Sequence, residues 1–471
     1  MNDGNERSQE QGADISGRIA SLVADARFEH LSERDIDVAK KCILDTFGVI
    51  LAASTLGEGC KPFVQLAKAG GGIEESSILG FGGKVPAPMA AFANGSLAHA
   101  LDFEESHDGA YVHASACTVP AAFAVAESLG GVSGKDLILA VAIGNDLTAR
   151  LGMALTENMI EYGWYMPPVL GSYGATASAG KLLGLTREQM LDAFSLNLCQ
   201  STCSAEITQN PQSVIRSVRD AFAAKSAVVS ALLAKSGVSG FRQPFEGKRG
   251  FFQSFARGNY NPEPLTKELG RRFEGTGTSF KPWPSCRATH PYIENVFRLM
   301  KEHSLRPEEI TSIHLEVSPV FRMLCEPLEG KLNPTTAIDA KFSIPFVVAS
   351  AAVHGKVELA NFTSEELRNP AVLAMARKVS YTVDEKRSLK EAICSRVDIH
   401  ARGEIYSAEV DIPYGDPRKP LTDEQLLAKF YDCARYAAEP IARDRQEQLA
   451  DLLLHLEQVE DIRDISRCLA P

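Results

Sequence analysis

No block of lysine and arginine stands out in this 471-residue chain, and that absence is the first constraint on what it does. Phosphate contact needs a clustered basic footprint, and the formal net charge is -11 with an isoelectric point near 5.5. A nucleic-acid partner is therefore not expected. A small anionic ligand still is, because a few local Arg or Lys side chains suffice to hold one. Long apolar runs are missing as well. None reaches the ~18 residues that argue for a membrane span, so no membrane partner is expected. The opening MNDGNERSQEQGADIS has no apolar stretch of the secretory type; it reads as a frayed tail on a cytoplasmic protein. The ten cysteines are scattered, and Cys199 and Cys203 have no second pair to complete a zinc pattern. They read as reduced thiols. The chain also lacks a Gly-rich phosphate fingerprint and a metal motif, so neither a cofactor nor a metal is expected.

What is present is enough for a large core. Hydrophobic residues make up 45% and charged ones 23%, an ordinary globular share that predicts two domains in a chain of this length. The chain is organised around Ala90 to Ala124, AAFANGSLAHALDFEESHDGAYVHASACTVPAAFA. Asn94, His99, Asp102, Glu104, Glu105, His107, Asp108, Tyr111 and His113 lie between two small-residue apolar runs. Each flank reads as a helix packed closely on others. The polar middle has no helical stripe and reads as a loop or helix end on a rigid scaffold, where reactive groups tend to sit. The plainer reading is a polar connection whose histidines cap helices.

Helical signals continue along the first half. Ser32 opens a capped helix, and Ile36, Ala39, Ile43, Leu44 and Phe47 recur at helical spacing. Gly134 to Leu151 reads as a long apolar helix, Gly163 to Pro168 as a stiff loop, and Gly171 to Leu185 as a small-residue helix. Thr186 to Gln189 is a capping box, Ser201 to Ser213 a polar loop, and Val214 to Lys235 a helix opening with Arg216 and Arg219. No strand with clean alternation precedes residue 275. The character then changes: Ile310 to Val317 alternates as a half-buried strand should, Ala337 to Val353 reads as a helix, and Val379 to Val383, Arg396 to His400 and Glu404 to Ile412 read as strands. From Thr422 the pattern is helical again. The predicted fold is mainly α with an inserted α+β domain. Residues 1–277 and 417–471 form a large helical domain, and 278–416 form a smaller α+β lid with a cleft at the junction, a favoured place for ligands.

The segment KPWPSCRATH lies at that junction and supplies Lys281, Cys286, Arg287 and His290. Arginine suits bidentate carboxylate binding, and a partly buried lysine can act as an acid or base. The plainer alternative is that Arg287 and His290 cap or pair structurally. Nothing around Cys286 and His290 resembles an acyl-transfer signature, so a papain-like pair is rejected.

Five segments together carry a resemblance. LDTFGVILAAS (Leu44 to Ser54), NGSLAHALDFEES (Asn94 to Ser106), GKLLGL (Gly180 to Leu185), KPWPSCRATH (Lys281 to His290) and PYGDPRKPLTDEQLLAKF (Pro413 to Phe430) resemble the MmgE/PrpD family in order and spacing. The resemblance runs from about Ile15 to Glu457. That family includes 2-methylcitrate dehydratase, cis-aconitate decarboxylase and iminodisuccinate epimerase. The resemblance implies a helical domain built from both chain ends, an α+β lid, a homodimer, and cofactor-free chemistry in the cleft.

Carried over by residue, it puts Asp102, Ser106 and His113 where decarboxylase-like members have an active-site Asp, Thr and His. Lys281 matches the family's junction lysine and His290 its following histidine, while Arg216 falls near a helix-start lysine. Two positions depart. Tyr165 and Met166 precede Pro167 and Pro168 where cis-aconitate decarboxylase has a histidine, and Cys286 stands where it has a second one. These departures argue against cis-aconitate decarboxylation and leave Tyr165 either as a substitute proton donor or as an aromatic lining.

All these reactions develop charge beside a carboxylate, which cationic groups must stabilise while an acid or base moves a proton. The resulting expectation is a lyase that removes water from a small di- or tricarboxylate hydroxy acid. His113 and Lys281 do acid/base work, Asp102 orients them, Tyr165 assists, and Ser106, Arg216, Cys286, Arg287 and His290 bind substrate. An isomerase or epimerase using the same proton abstraction is the runner-up, followed by decarboxylation of an unsaturated tricarboxylate. An inactive binding protein on this fold is the third class.

Overall fold

The computed structural model describes residues 14–210, 213–387 and 393–469; nearly all of the expected N-terminal tail lies outside them. The first half is helical for local reasons that can be read at each helix start. Helix α1 (Ile15–Asp25) begins where the Asp14 carboxylate accepts from Gly17 N at 3.0 Å. In α2 (Glu33–Leu56), Ser32 and Asp35 cap one another's backbone N–H reciprocally, and Ile43, Leu44 and Phe47 are fully buried. The capping box recurs at Ser133/Asp136, and again at Thr186/Gln189. The remaining large helices of this half are α3 (Cys60–Ala69), α4 (Ala87–Ala98), α5 (Ser115–Leu129), α6 (Gly134–Ala154), α7 (Met166–Leu182), α8 (Arg187–Leu198), α9 (Ile215–Val218) and α10 (Asp220–Lys235).

Three expectations need correcting here. Gly163 to Pro168 is not all loop: α7 starts at Met166, with Pro167 and Pro168 in its first turn, where a missing N–H costs nothing because that donor has no intrahelical partner anyway. The helix expected from Val214 to Lys235 is two helices meeting at Arg219. Finally, α6 is long and apolar enough by composition to cross a membrane, although 94% of that stretch is buried inside the fold. The capped start at Ser133 and close packing on neighbours make it a core helix.

Small residues set the distances between these helices. A Cβ on Gly144 of α6 would sit 2.1 Å from Ser178 Oγ and 2.7 Å from the Gly174 carbonyl of α7. One on Gly95 of α4 would sit 3.0 Å from Ala224 Cβ of α10. The backbones therefore touch where side chains would ordinarily intervene, which is why the sequence needs so much Ala and Gly in its apolar runs.

The α+β part has its own core. Helix α11 (His290–Glu302) leads to a four-stranded sheet formed by β3 (Ile310–Val317), β4 (Val379–Val383), β5 (Ser395–Ala401) and β6 (Glu404–Val410). Among the short strands that precede these in the chain are β1 (Ser106–His107) and β2 (Thr278–Ser279). The sheet order is β4-β3-β5-β6, with β3 parallel to β4 and antiparallel to β5, and β5 antiparallel to β6. Arg402 and Gly403 make the β5–β6 turn with positive φ at both, the conformation a two-residue hairpin requires. The expected helix from Ala337 to Val353 is broken into α12 (Ala337–Lys341) and α13 (Ile344–His354), because Ser343 caps a new start with Pro345 in its first turn. Ala288 to Ala408 form this second hydrophobic cluster, whereas Phe280, Phe430 and Leu453 belong to the first. The described residues thus contain two hydrophobic cores.

Helix α14 (Asp423–Ala434) returns to α2, where Gly48 lets Phe430 approach, and α15 (Arg443–Leu454) follows. The two-residue ladder β1–β2 pairs Ser106 with Ser279, tying the polar central stretch to the domain junction. Gly144→Ala should therefore lower stability by about 1–3 kcal/mol through overpacking. Thermal unfolding of the variant would show it; an unchanged melting temperature would mean that α6 and α7 can separate freely.

Candidate active site

The turn after α4 gathers the chemistry. Asp102 has φ 48, a left-handed conformation uncommon for a residue with a side chain, and its N–H donates to His99 O at 2.9 Å. Three consecutive carbonyls of this turn each accept from a buried ammonium. Lys341 of α12 reaches Leu101 O at 2.5 Å, Lys281 of the junction reaches Asp102 O at 3.0 Å, and Lys429 of α14 reaches Phe103 O at 2.6 Å. The three cations come from the lid, the junction and the C-terminal helix. One turn of backbone thus holds all parts of the chain together.

Each ammonium meets a different electrostatic setting. Lys281 bonds Asp102 Oδ1 at 2.6 Å. Although burial opposes it, that contact raises the Lys281 pKa and holds the Asp102 carboxyl well below the usual carboxylate range. Lys429 pairs with Asp45 at 2.6 Å and also donates to Lys281 O at 3.0 Å. Lys341 has no such carboxylate partner. Burial, reinforced by the nearby Lys281 charge and opposed by Asp102, pushes its amine down to about 7.

Two imidazoles face this centre. His99 is fully buried and shares a short hydrogen bond with Glu104 through Nδ1; burial and the Arg219 charge push its pKa down to about 3. His113 lies with its ring 4.8 Å from that of His99. Its Nδ1 is 3.0 Å from Glu105 O and 3.3 Å from Glu104 Oε1. Both are acceptors, so the proton sits on Nδ1 and Nε2 carries the lone pair. Burial and the Lys281 ammonium push His113 down to about 3 as well. It is neutral near pH 7, and its side chain is 16% exposed, so it opens outward while the rest of the cluster is shut in. Burial and the adjacent Glu104 push Glu105 up to about 8, with its Oε1 accepting from Ser115 N at 2.8 Å.

The other expected residues divide into two groups. Tyr165, at the N-terminal cap of α7, lies in the cluster: Arg219 Cζ is 4.8 Å and Arg216 Cζ 5.7 Å from its ring centre. Its hydroxyl is 3.5 Å from Arg216 Nη2. Arg216 also stacks at 3.5 Å on Phe342 of the lid, so it spans the junction. Cys286 is half-buried; its N–H donates to Lys341 O at 3.1 Å, and burial pushes its thiol up to about 11. Arg287 and His290 serve the protein itself. Arg287 bonds the Asp108 carboxylate at 3.1 Å and the Tyr414 carbonyl at 2.7 Å, and Asp108 in turn accepts from Ser106 at 3.2 Å and Ser279 at 2.8 Å. His290 is fully buried, bonds Ser285 O at 3.2 Å and packs on Trp283. Ser106 is thus held beside the clamp formed by Arg287.

Sequence reading missed Lys341, Lys429 and Arg219 as members of the cluster. Lys341 and Lys429 sit in helical patterns where a lysine normally faces solvent, and the only available signal was their place among apolar neighbours. A metal reading can be tested on the donors themselves. His99, Asp102, Glu104 and His113 offer atoms within 4.8 Å of one another, a set that suits a transition metal. The Lys281 ammonium already occupies Asp102, so a cation would have to displace it. A surface cavity of about 620 Å³ lined by Asp14, Arg187, Phe241 and Arg249 shares no residue with this centre.

Lys341 gives the fold a pH signature. Between about 7 and the ordinary 10.5, the unfolded chain holds a proton that the folded one releases, so stability from this group rises with pH. Below about 7 the penalty of burying the ammonium is complete. Lys341→Met should therefore gain most over the parent at about pH 6.5 and progressively less toward about pH 9.5, read from urea midpoints at several pH values. A difference that does not vary with pH would show the amine to be ordinary.

Comparison with known proteins identifies the family over most of the chain. The MmgE/PrpD N-terminal domain matches residues 17–263 and the MmgE/PrpD C-terminal domain residues 283–456. Among similar proteins, a cis-aconitate decarboxylase-like protein of Aspergillus oryzae is 26% identical, covering 96% of each chain. Cis-aconitate decarboxylase of Mus musculus is 27% identical over 97% of this chain and 93% of its own. The mitochondrial 2-methylcitrate dehydratase of Yarrowia lipolytica is 24% identical over 88% and 82%. With a helical domain closed by an α+β part over one buried charge cluster, and with both domains matched, the chain belongs to the MmgE/PrpD family.

Proposed function

We propose that the protein is a lyase that eliminates water from a small hydroxy-di- or tricarboxylate of the 2-methylcitrate type, using its own side chains as acid and base. The observation that carries this reading is the neutral His113, with its Nε2 lone pair free, beside the locked Lys281–Asp102 pair. A base must be unprotonated before it acts, and the depressed pKa ensures that. Substrate carboxylates arriving beside His113 raise its proton affinity, because nearby negative charge favours imidazolium. His113 then takes the proton beside a carboxylate. Two of the three N–H bonds of Lys281 are directed at Asp102, which leaves the third to stabilise the charge that develops.

Departure of the hydroxyl needs a proton. The Tyr165 phenol, held near Arg216, is placed to supply it, with Arg216 retaining a substrate carboxylate. Asp102 positions Lys281, and Arg287 positions Ser106 through Asp108. The half-buried Cys286, its thiol held protonated, is assigned to the substrate-facing lining, while His290 braces the junction behind it.

A second reading has its own support. The relatives named above include cis-aconitate decarboxylases aligned over most of both chains, which favours loss of carbon dioxide from an unsaturated tricarboxylate at the same site. Tyr165 and Cys286, standing where the resemblance leads one to expect imidazoles in cis-aconitate decarboxylase, argue against that second reading.

Proton NMR in heavy water separates these outcomes. A hydroxy acid such as 2-methylcitrate or citrate should yield a new olefinic signal. Carbon dioxide release from cis-aconitate would establish the decarboxylase, and deuterium entering beside a carboxylate without a new alkene would establish an isomerase. His113→Gln should lower kcat by about 10²- to 10⁴-fold with an unchanged melting temperature. Near-full activity in that variant would remove His113 as the base.

A further inference from the structure

Arg219 has a role that the reaction scheme above does not give it. It sits where α9 meets α10, with 3% of its surface exposed. One terminal nitrogen, Nη1, is tied to Arg216 O by a short hydrogen bond. Nε and Nη2 are sealed from solvent and have no hydrogen-bond partner. These two nitrogens form one edge of the guanidinium, the side-on fork whose parallel N–H bonds match the two oxygens of a carboxylate. The nearest carboxylate in the fold is Asp220, whose Oδ2 is 3.7 Å from Nε, beyond hydrogen-bond reach and itself unpartnered. The plane of the cation is supported by the Tyr165 ring at 4.8 Å. The fork belongs to the catalytic region, since the Arg219 charge acts on His99 and the Asp102 charge acts on Arg219.

A buried guanidinium with an open fork is costly to maintain, because each unmade bond forfeits the hydration given up on burial. Within the helix junction the buried Asp220 carboxylate is the counter-charge, but at 3.7 Å from Nε it hydrogen-bonds neither Nε nor Nη2 and leaves the fork open. We infer that Arg219 is a substrate-binding residue whose Nε/Nη2 fork takes one carboxylate of the substrate, on the Tyr165 side of the centre. This rests on the polycarboxylate reading above and sharpens it. Arg216, stacked on Phe342 of the lid, holds a different carboxylate from Arg219, and the third N–H of Lys281 faces the one beside the carbon that loses its proton, so the preferred ligand is a tricarboxylate. Tyr165 then has two duties, supporting Arg219 with its ring face and facing Arg216 with its hydroxyl.

Isothermal titration calorimetry with the full-length protein tests this using two unreactive probes, tricarballylate and glutarate, which differ by one carboxylate. The parent should bind tricarballylate more tightly. Arg219→Gln should weaken tricarballylate about 10- to 100-fold, the loss of one charge-assisted bidentate contact, and bring the ratio between the two probes close to one. Arg219→Lys should keep part of the preference, and Asp220→Asn should keep all of it. A folded Arg219→Gln or Arg219→Lys protein with the parental ratio would overturn the inference and leave the lyase reading standing. So would an Asp220→Asn variant losing the preference equally, since Arg219 and Asp220 would then be a structural pair. Failure of both probes to bind the parent protein would overturn the polycarboxylate reading and this inference with it.

Discussion

Everything in this molecule depends on how three lysine ammonium groups are kept inside it. Burying an ammonium is paid for only if carboxylates or carbonyls replace its water, and here the backbone turn at residues 101–103 does much of that work. Lys341, Lys281 and Lys429 each bond one of its three successive carbonyls. The left-handed backbone at Asp102 redirects the chain within that turn. Because the three lysines come from the lid, the junction and the C-terminal helix, the same contacts that solvate the charges also join the two cores. Fold and site are one construction.

The pKa pattern follows from which lysine obtains a carboxylate. Lys281 and Lys429 have Asp102 and Asp45 within 2.6 Å. Lys341 has only a carbonyl, and its amine drops to about 7. The imidazoles take the complementary state. With the Lys281 ammonium beside it, His113 stays neutral, a condition an acid/base centre needs and a surface histidine would not meet reliably. Arg287 shows the opposite arrangement: with Asp108 and two backbone carbonyls already around it, it is complete without a ligand.

Much of this was legible in the sequence, and the limits have physical causes. The caps at Ser32 and Thr186 are local hydrogen-bond patterns, so they could be read directly. The alternation from Ile310 to Val317 matched the strand to the residue, because a strand with one buried face has period two. Breaks inside helices were harder: Arg219 and Ser343 stand at breaks in segments whose helical pattern reads on past them. Asp102 and His113 stood out as polar residues between apolar flanks and Lys281 as a junction residue, while the roles expected of them came from the family resemblance. Lys341 was not, since a lysine within a helical pattern is ordinary until tertiary structure shows that it points inward at a carbonyl 240 positions away. Arg287 and His290 were recognised as polar junction residues, but their partners, Asp108 and Ser285 O, are set by the fold. A sequence shows which groups are available, whereas which of them are already satisfied emerges only when partners distant in the chain are brought together.

That distinction explains why the cluster calls for an anion. Asp102, Glu104 and Asp45 are matched by Lys281, His99 and Lys429 through contacts inside the fold. On the other side, Arg216 Nε and the Arg219 fork make no hydrogen bond, with Asp220 standing 3.7 Å from Arg219 Nε, and both guanidinium groups are packed against Tyr165. In a low-dielectric interior, guanidinium N–H groups left without an acceptor are unfavourable, and on the proposed reading a substrate carboxylate supplies one. In the proposed reaction the same carboxylates restore basicity to His113, which burial and the protein's own cations suppress. Binding and activation of the base are coupled in that scheme: before substrate arrives the imidazole is a poor proton acceptor, and the charge that completes the site also switches it on.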